Sequence, residues 1–430
     1  MLGTRASNPV RNRRLRWRAL FIVLLACAAA GATAAGADEP LPLPLPPPAA
    51  AVIPAVPSGV RDCAGFAASR PPVRPVPAGY TRRYDTIGHE FLDAESGAAN
   101  VTPAMYALLD DIIDEAKQRL PAMRADLTAD TYVPFATRVF TGIDCILLSR
   151  GFVYPAHGWV QLLADGLAPT VYDDPVDVQA LLRQYHNRDR RAFIAARGRG
   201  PYHVVDCDVA SYVYLAIADE MRYPLHLVEI PEHDFVRWEH DARTHLDFET
   251  MDGIVTDDDH YRNAWHIPDA LLARGSTLAS MSRTSLIAYH LGTTAVAFSF
   301  KGMYRREVDE FALALALDPA SGTAANNLAW FYAAVPEREW RDGARAVRWA
   351  TVAVEAARTA NHLDTLACAY AQNGEFDKAA QTEREAQTAP FSYIADVAGN
   401  LARFAAREPC TDTKYRVDPN PFPTPTIARR

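Results

Sequence analysis

The stretch from Tyr202 to Gly253 constrains the fold most. It opens on Asp206-Cys207-Asp208, runs into the amphipathic VASYVYLAIADEMRY and breaks at Tyr223-Pro224. A proline disfavours helix at the residue before it and carries no N–H of its own, so a helix ends there. Three strand-like runs follow: LHLVEI (225–230), HDFVRWE (233–239) and THLDFET (244–250). Pro231-Glu232 makes the turn between the first two. The pattern predicts an α+β domain: a helix carrying a cysteine, packed on an antiparallel sheet. Thus a cysteine opens the helix, a histidine opens one strand and an acid sits in the next.

Upstream, Met105, Leu108, Leu109, Ile112, Ile113, Ala116 and Leu120 share one face of a helix predicted over 102–120, with Pro103 in its first turn. Residues 136–150 and 157–167 read as further helices. Cys145, among Ile143, Ile146 and Leu147, reads as a core cysteine rather than a reactive one. His157, in PAHGW, reads as a turn residue.

The order cysteine, histidine, acid has a chemical logic. A thiol is a poor nucleophile at neutral pH, but a helix N-terminus and an imidazolium both stabilise the thiolate. The histidine passes the proton to the leaving group, and a third group orients its ring. Adjacent antiparallel strands can set His233 beside Asp247, with Glu249 on the same strand face as the alternative third member. The helix end offers a backbone N–H to an oxyanion. No side-chain oxyanion donor stands out; His203 and Gln184 lie upstream.

Residues 202–253 resemble the transglutaminase-like cysteine-hydrolase superfamily, papain-like in its catalytic core. The matching positions are Cys207 in VDCDVAS, His233 in PEHDFVRW and Asp247 in HLDFET. The resemblance implies Cys207 as nucleophile, His233 as general base and acid, and Asp247 as orienter. It implies amide chemistry on a peptide or protein substrate through an acyl-thioenzyme: proteolysis, deamidation or transamidation. Two features pull the other way. Asp206 and Asp208 flank the cysteine and raise a thiol pKa, unless one is simply the helix cap. Asp247 can instead pair with Arg237 or Arg243. The competing reading is an inert domain of this fold that serves, with the helices downstream, as a binding module.

A metal reading of His233, His240 and His245 fails on spacing, which fits no helical pair. The Asp257-Asp258-Asp259 run lacks the calcium-loop pattern and reads as a solvated loop. Neither a metal nor another cofactor enters the reading.

From about residue 288 to 391 the chain is alanine-rich with an internal period. One unit carries Leu291, Ala295, Phe298, Gly302, Tyr304, Phe311, Ala314 and Pro319; a second Leu328, Ala329, Tyr332, Ala346, Ala350 and Ala353; a third Leu366, Ala367, Tyr370, Gly374, Phe376, Ala379 and Ala386. These resemble three tetratricopeptide repeats. Gly302-x-Tyr304 and Gly374-x-Phe376 mark hairpin turns, and an insertion at Val335–Asp342 replaces that turn in the second unit. The resemblance implies stacked helical pairs that hold a protein partner or brace the first domain.

The ends read as export and tether. Residues 1–37 have an arginine-rich start, an apolar run from Ala19 to Ala30 and Ala35-Gly36-Ala37 before Asp38, as a signal peptide does. The alternatives are an uncleaved inner-membrane anchor or a lipoprotein around Cys27. Residues 38–83 are a proline-rich spacer, with Cys63 read as an unpaired thiol, and 84–275 the transglutaminase-like domain. Residues 410–430 read as a disordered tail. Cys368 reads as core, and Cys410 as able to pair in an oxidising compartment. Six cysteines in 430 residues are too few for a disulfide scaffold, and the single apolar segment excludes a polytopic membrane protein. Net charge is -8 with no basic tract beyond the N-terminus, which gives nucleic-acid binding no footing. The expectation is an exported, periplasmic or envelope protein.

Overall fold

The computed structural model describes Cys63, residues 76–77, 79–154, 162–172, 178, 188–231, 233–391 and 397–412. The export segment, most of the proline-rich spacer, His157, Gln184 and residues 413–430 lie outside the described residues. Mixed helix and sheet agrees with the α+β expectation at that coarse level.

Among the described residues the first half opens with three helices, α1 (Ile87–Glu95), α2 (Pro103–Arg119) and α3 (Tyr132–Arg150). Pro103 sits in the first turn of α2 and Gly151 ends α3 in the left-handed conformation, φ 91°. Then come β1 (Phe152–Val153), α4 (Leu163–Leu167), α5 (Arg188–Arg197) and β2 (His203–Val204). Next is α6 (Cys207–Met221), the helix expected to carry the thiol. Asp206 caps it by accepting from Val209 N at 3.0 Å, and Arg222 closes it at φ 59° just before Tyr223-Pro224. Gly166 lets α4 reach α6: a Cβ there would lie 2.6 Å from Val209 Cγ1.

Four strands follow: β3 (Leu225–Ile230), β4 (His233–Glu239), β5 (His245–Glu249) and β6 (Ile254–Thr256). They pair antiparallel in chain order. The first three match the expected runs; β6 was not foreseen. The register sorts their side chains onto two faces. Leu225, Leu227, Val236, Trp238, Leu246 and Phe248 bury against α6 in the main core. Val228, Ile230 and Phe235 face the other way, onto Tyr261, Ile267 and Leu271. These come from α7 (Asp258–Ala264), the segment after it and α8 (Asp269–Leu272). The acidic run is therefore not a solvated loop: Asp257 caps α7 by accepting from His260 N.

The second half is helical: α9 (Arg283–Phe300) with α10 (Tyr304–Leu317), α11 (Gly322–Ala334) with α12 (Gly343–Ala356), α13 (Ala360–Gln372) with α14 (Phe376–Ala386), then α15 (Val397–Ala405). The pairs begin at Arg283, five residues before the expected boundary, and the Val335–Asp342 insertion holds a single 3-10 turn, Arg338–Trp340. Alanines 314, 324, 329, 346, 350, 353, 367 and 379 are buried, so helix backbones approach closely. Among the described residues no helix is long and apolar enough to cross a membrane.

Three expectations about the ends change. Cys63 is not a free linker thiol: it is bonded to Cys145 and both are buried at 2% exposure. The spacer's end is packed too, with Arg83 paired to Asp111 at 2.7 Å and Asp114 at 2.9 Å. Cys410 is bonded to Cys368, and Asp412 accepts from Trp330 Nε1 at 2.6 Å, so the tail does not begin at residue 410.

Candidate functional site

Cys207 is the first residue of α6, partly buried, and a free thiol. Its sulfur, one carboxylate oxygen of Asp208 and one of Asp234 lie within 4.8 Å of one another. Burial pushes its pKa well above the ordinary thiol value, and the negative charges of Asp234, Asp208 and Asp206 push it further. A backbone hydrogen bond from Asp234 opposes this without reversing it. Asp234 itself is held far above the usual carboxylate range by burial and by its neighbours Asp208 and Asp206. The resting site therefore holds a protonated thiol.

His233 and Asp234 are consecutive in β4, so their side chains leave on opposite faces. Asp234 turns to the α6 side, where Ser211 Oγ donates to it at 3.2 Å. His233 turns to the α7 side and stacks on Trp265, with centroids 4.9 Å apart and planes at 13°. Its Nε2 meets Glu249 Oε2 at 2.6 Å. Glu249 is fixed in turn: its Oε1 accepts from Met251 N at 3.0 Å, and Tyr261 Oη donates to Oε2 at 3.4 Å. His233 and Glu249 are thus brought together, with Nδ1 making no hydrogen bond among the described residues. Cys207 lies beside the next residue of β4, and no hydrogen bond joins it to His233.

Asp247 is not the partner of His233. The register sets it opposite Arg237, four residues along β4, a distance of roughly 13 Å. Arg237 grips Asp247 with two bonds, 2.7 and 3.0 Å, and also bonds Asp258 and the Leu278 carbonyl. Burial still pushes Asp247 up to about 6, with the Arg237 guanidinium pulling it back. The Arg237 pairing weighed from sequence is the observed one, and Glu249, the alternative, is the acid that pairs with His233.

The three histidines do not converge. His240 stacks on Tyr132 at 4.5 Å, and His245 lies 3.4 Å from Asp258, whose other partner is Arg237. His203 is buried against Phe152, and burial lowers it to about 4, so it is neutral.

Residues of the helical half reach the cysteine region. Tyr289, on α9, donates to Asp208 Oδ1 at 3.0 Å, and Thr323, on α11, donates to Glu229 Oε1 at 2.6 Å. Burial raises Glu229 to about 7. Sequence reasoning missed Tyr289, Asp234 and Trp265. Strand parity alone flags Asp234 as facing the α6 helix; Tyr289, 81 residues from Asp208, carries no local signal. No protein-family model, curated protein or solved structure matches this chain.

Proposed function

We propose that the chain is an exported cysteine hydrolase of the transglutaminase-like type, acting on amide bonds of a peptide or protein. One observation carries the reading: the His233–Glu249 pair at 2.6 Å, on the strand whose next residue meets the N-terminal turn bearing Cys207. Glu249 holds Nε2, which assigns Nδ1 to the thiol proton. Because the thiol rests protonated, attack is base-assisted rather than by a standing thiolate. For this step Cys207 Sγ must leave Asp234 on the α6 side and pass the start of β4 to reach His233 on the α7 side, where it gives its proton to Nδ1 and bonds the carbonyl carbon. A backbone N–H at the start of α6 holds the oxyanion. The C–N bond breaks as the imidazolium returns the proton to the departing amine. Water, deprotonated by Nδ1, then attacks the thioester carbon, the C–S bond breaks and the imidazolium returns the proton to Cys207 Sγ; an amine in place of water gives transamidation.

A second reading, an inert domain acting with the helices as a binding module, is favoured by the aspartates around the thiol and by the missing Cys207–His233 hydrogen bond. In that case the tetratricopeptide-like pairs hold the partner. An open cavity of about 210 Å³ lies among Arg305, Tyr332, Glu339, Trp340, Arg341, Asp342 and Arg345, with both signs of charge in its lining. Export accords with the two disulfides, which persist in oxidising compartments. An uncleaved leader would make the chain an inner-membrane anchored protein.

The test is p-nitrophenyl acetate on the full chain, read as a stoichiometric nitrophenolate burst and as an acetyl adduct by intact mass. The enzyme reading expects acylation lost in Cys207→Ser and strongly slowed in His233→Ala. Acylation at the same rate in His233→Ala and wild type overturns it in favour of the binding module.

A further inference from the structure

We infer a binding site for a borderline divalent cation of the Zn2+ class, formed by Cys207 Sγ and the carboxylates of Asp208 and Asp234. The three ligand atoms lie within 4.8 Å of one another, and the two aspartates are buried at 6% and 0% exposure. Among the described residues no basic side chain pairs with either carboxylate. Each is instead aimed by a hydroxyl: Tyr289 holds Asp208 Oδ1 at 3.0 Å and Ser211 holds Asp234 Oδ1 at 3.2 Å. That leaves one oxygen of each free to ligate. Orienting hydrogen bonds of this kind are what ligating carboxylates carry behind them.

One buried atom points to an occupant: Asp234 Oδ2, in a side chain at 0% exposure, has no hydrogen-bond partner. One thiolate and two carboxylates suit Zn2+ and leave a fourth position for water. Ca2+ and Mg2+ take six or more ligands, nearly all oxygen, and do not suit this set.

The site stands apart from the acyl-transfer reading but shares its thiol: a metal-bound Sγ cannot attack a carbonyl, so occupancy blocks acylation. The competing occupant is a single proton shared between Asp208 and Asp234.

The experiment dialyses the full chain against a chelator and titrates it with Co2+. The expected result is a thiolate-to-cobalt charge-transfer band with the visible bands of a tetrahedral ion, saturating at one ion per chain. Cys207→Ser abolishes the charge-transfer band, Asp234→Asn weakens binding at least 10-fold, and Tyr289→Phe weakens it about 10-fold. Circular dichroism on each variant separates lost binding from lost fold, and Ser211→Ala, which keeps all three ligands, gives a milder loss. Absence of the band, or a band unchanged in Cys207→Ser, overturns the site and leaves the shared proton. Nitrophenyl acetate acylation of the same chelated protein fails or succeeds independently of that outcome.

Discussion

Exchanging the carboxylates at 247 and 249 separates the two acids by what each one holds. Glu249→Gln removes the anion from His233, in a pair with side chains only 8% and 5% exposed. A hydrogen bond to a charged partner is worth about 1.5–3 kcal/mol, so acylation slows by roughly 10- to 150-fold. Stability falls by no more than about that amount. Asp247→Asn does the reverse. It takes the anion from a guanidinium buried at 4% exposure, and breaking a buried ion pair costs about 3–5 kcal/mol. Asp258 and the Leu278 carbonyl still hold Arg237, which places the loss near about 3 kcal/mol. The assays are the nitrophenolate burst and urea unfolding of each variant. A slow but stable Asp247→Asn, beside a Glu249→Gln that acylates like wild type, would refute the strand-register argument.

Glu307, raised by burial to about 8 from its usual 4.5, is a neutral acid in the fold. The folded state binds this proton more tightly than the unfolded chain. Its contribution is therefore complete below about pH 4.5 and is lost as pH rises through about 8, at up to about 1.4 kcal/mol per pH unit. Urea midpoints at pH 5 and pH 8 should converge in Glu307→Gln; an unchanged gap would contradict this. Reducing the disulfides should destabilise the protein, because Cys63–Cys145 closes 82 residues and Cys368–Cys410 closes 42. Chain entropy gives about 4.5 and about 4 kcal/mol respectively, checked by melting the Cys145→Ser and Cys368→Ser variants. Gly166→Ala drives a methyl against Val209 and should cost about 1–3 kcal/mol in urea, with slower acylation as the first turn of α6 shifts.

Much of the sheet was legible because strand alternation and a proline at 231 bound the runs at 225–230 and 233–239 so tightly. β6 escaped because three residues carry too little periodicity. The choice between Asp247 and Glu249 hung on register. Both share a face, and a shift of two residues along β5 exchanges which of them meets His233. Cys63 escaped for another reason: a proline-rich neighbourhood looks unstructured whether or not a bond ties it down, and spacing does not reveal pairing. The helical pairs were readable from their small buried residues. Their grip on the first half was not, since Tyr289 and Thr323 act across 81 and 94 residues.

That grip has a thermodynamic corollary. Besides the Tyr289 and Thr323 bonds, His290 stacks on Phe91 at 3.9 Å, and Arg283 bridges Asp219 at 3.0 Å and Glu90 at 3.2 Å. Removing the helices would wet Phe91 and strip Asp208 of its donor, so the halves should melt in one cooperative transition. The same bonds make the two ends of the molecule reciprocal. Whatever free energy a ligand on the helices invests in moving Tyr289 away from Asp208, an occupant of the cysteine pocket returns as an equal change in that ligand's affinity.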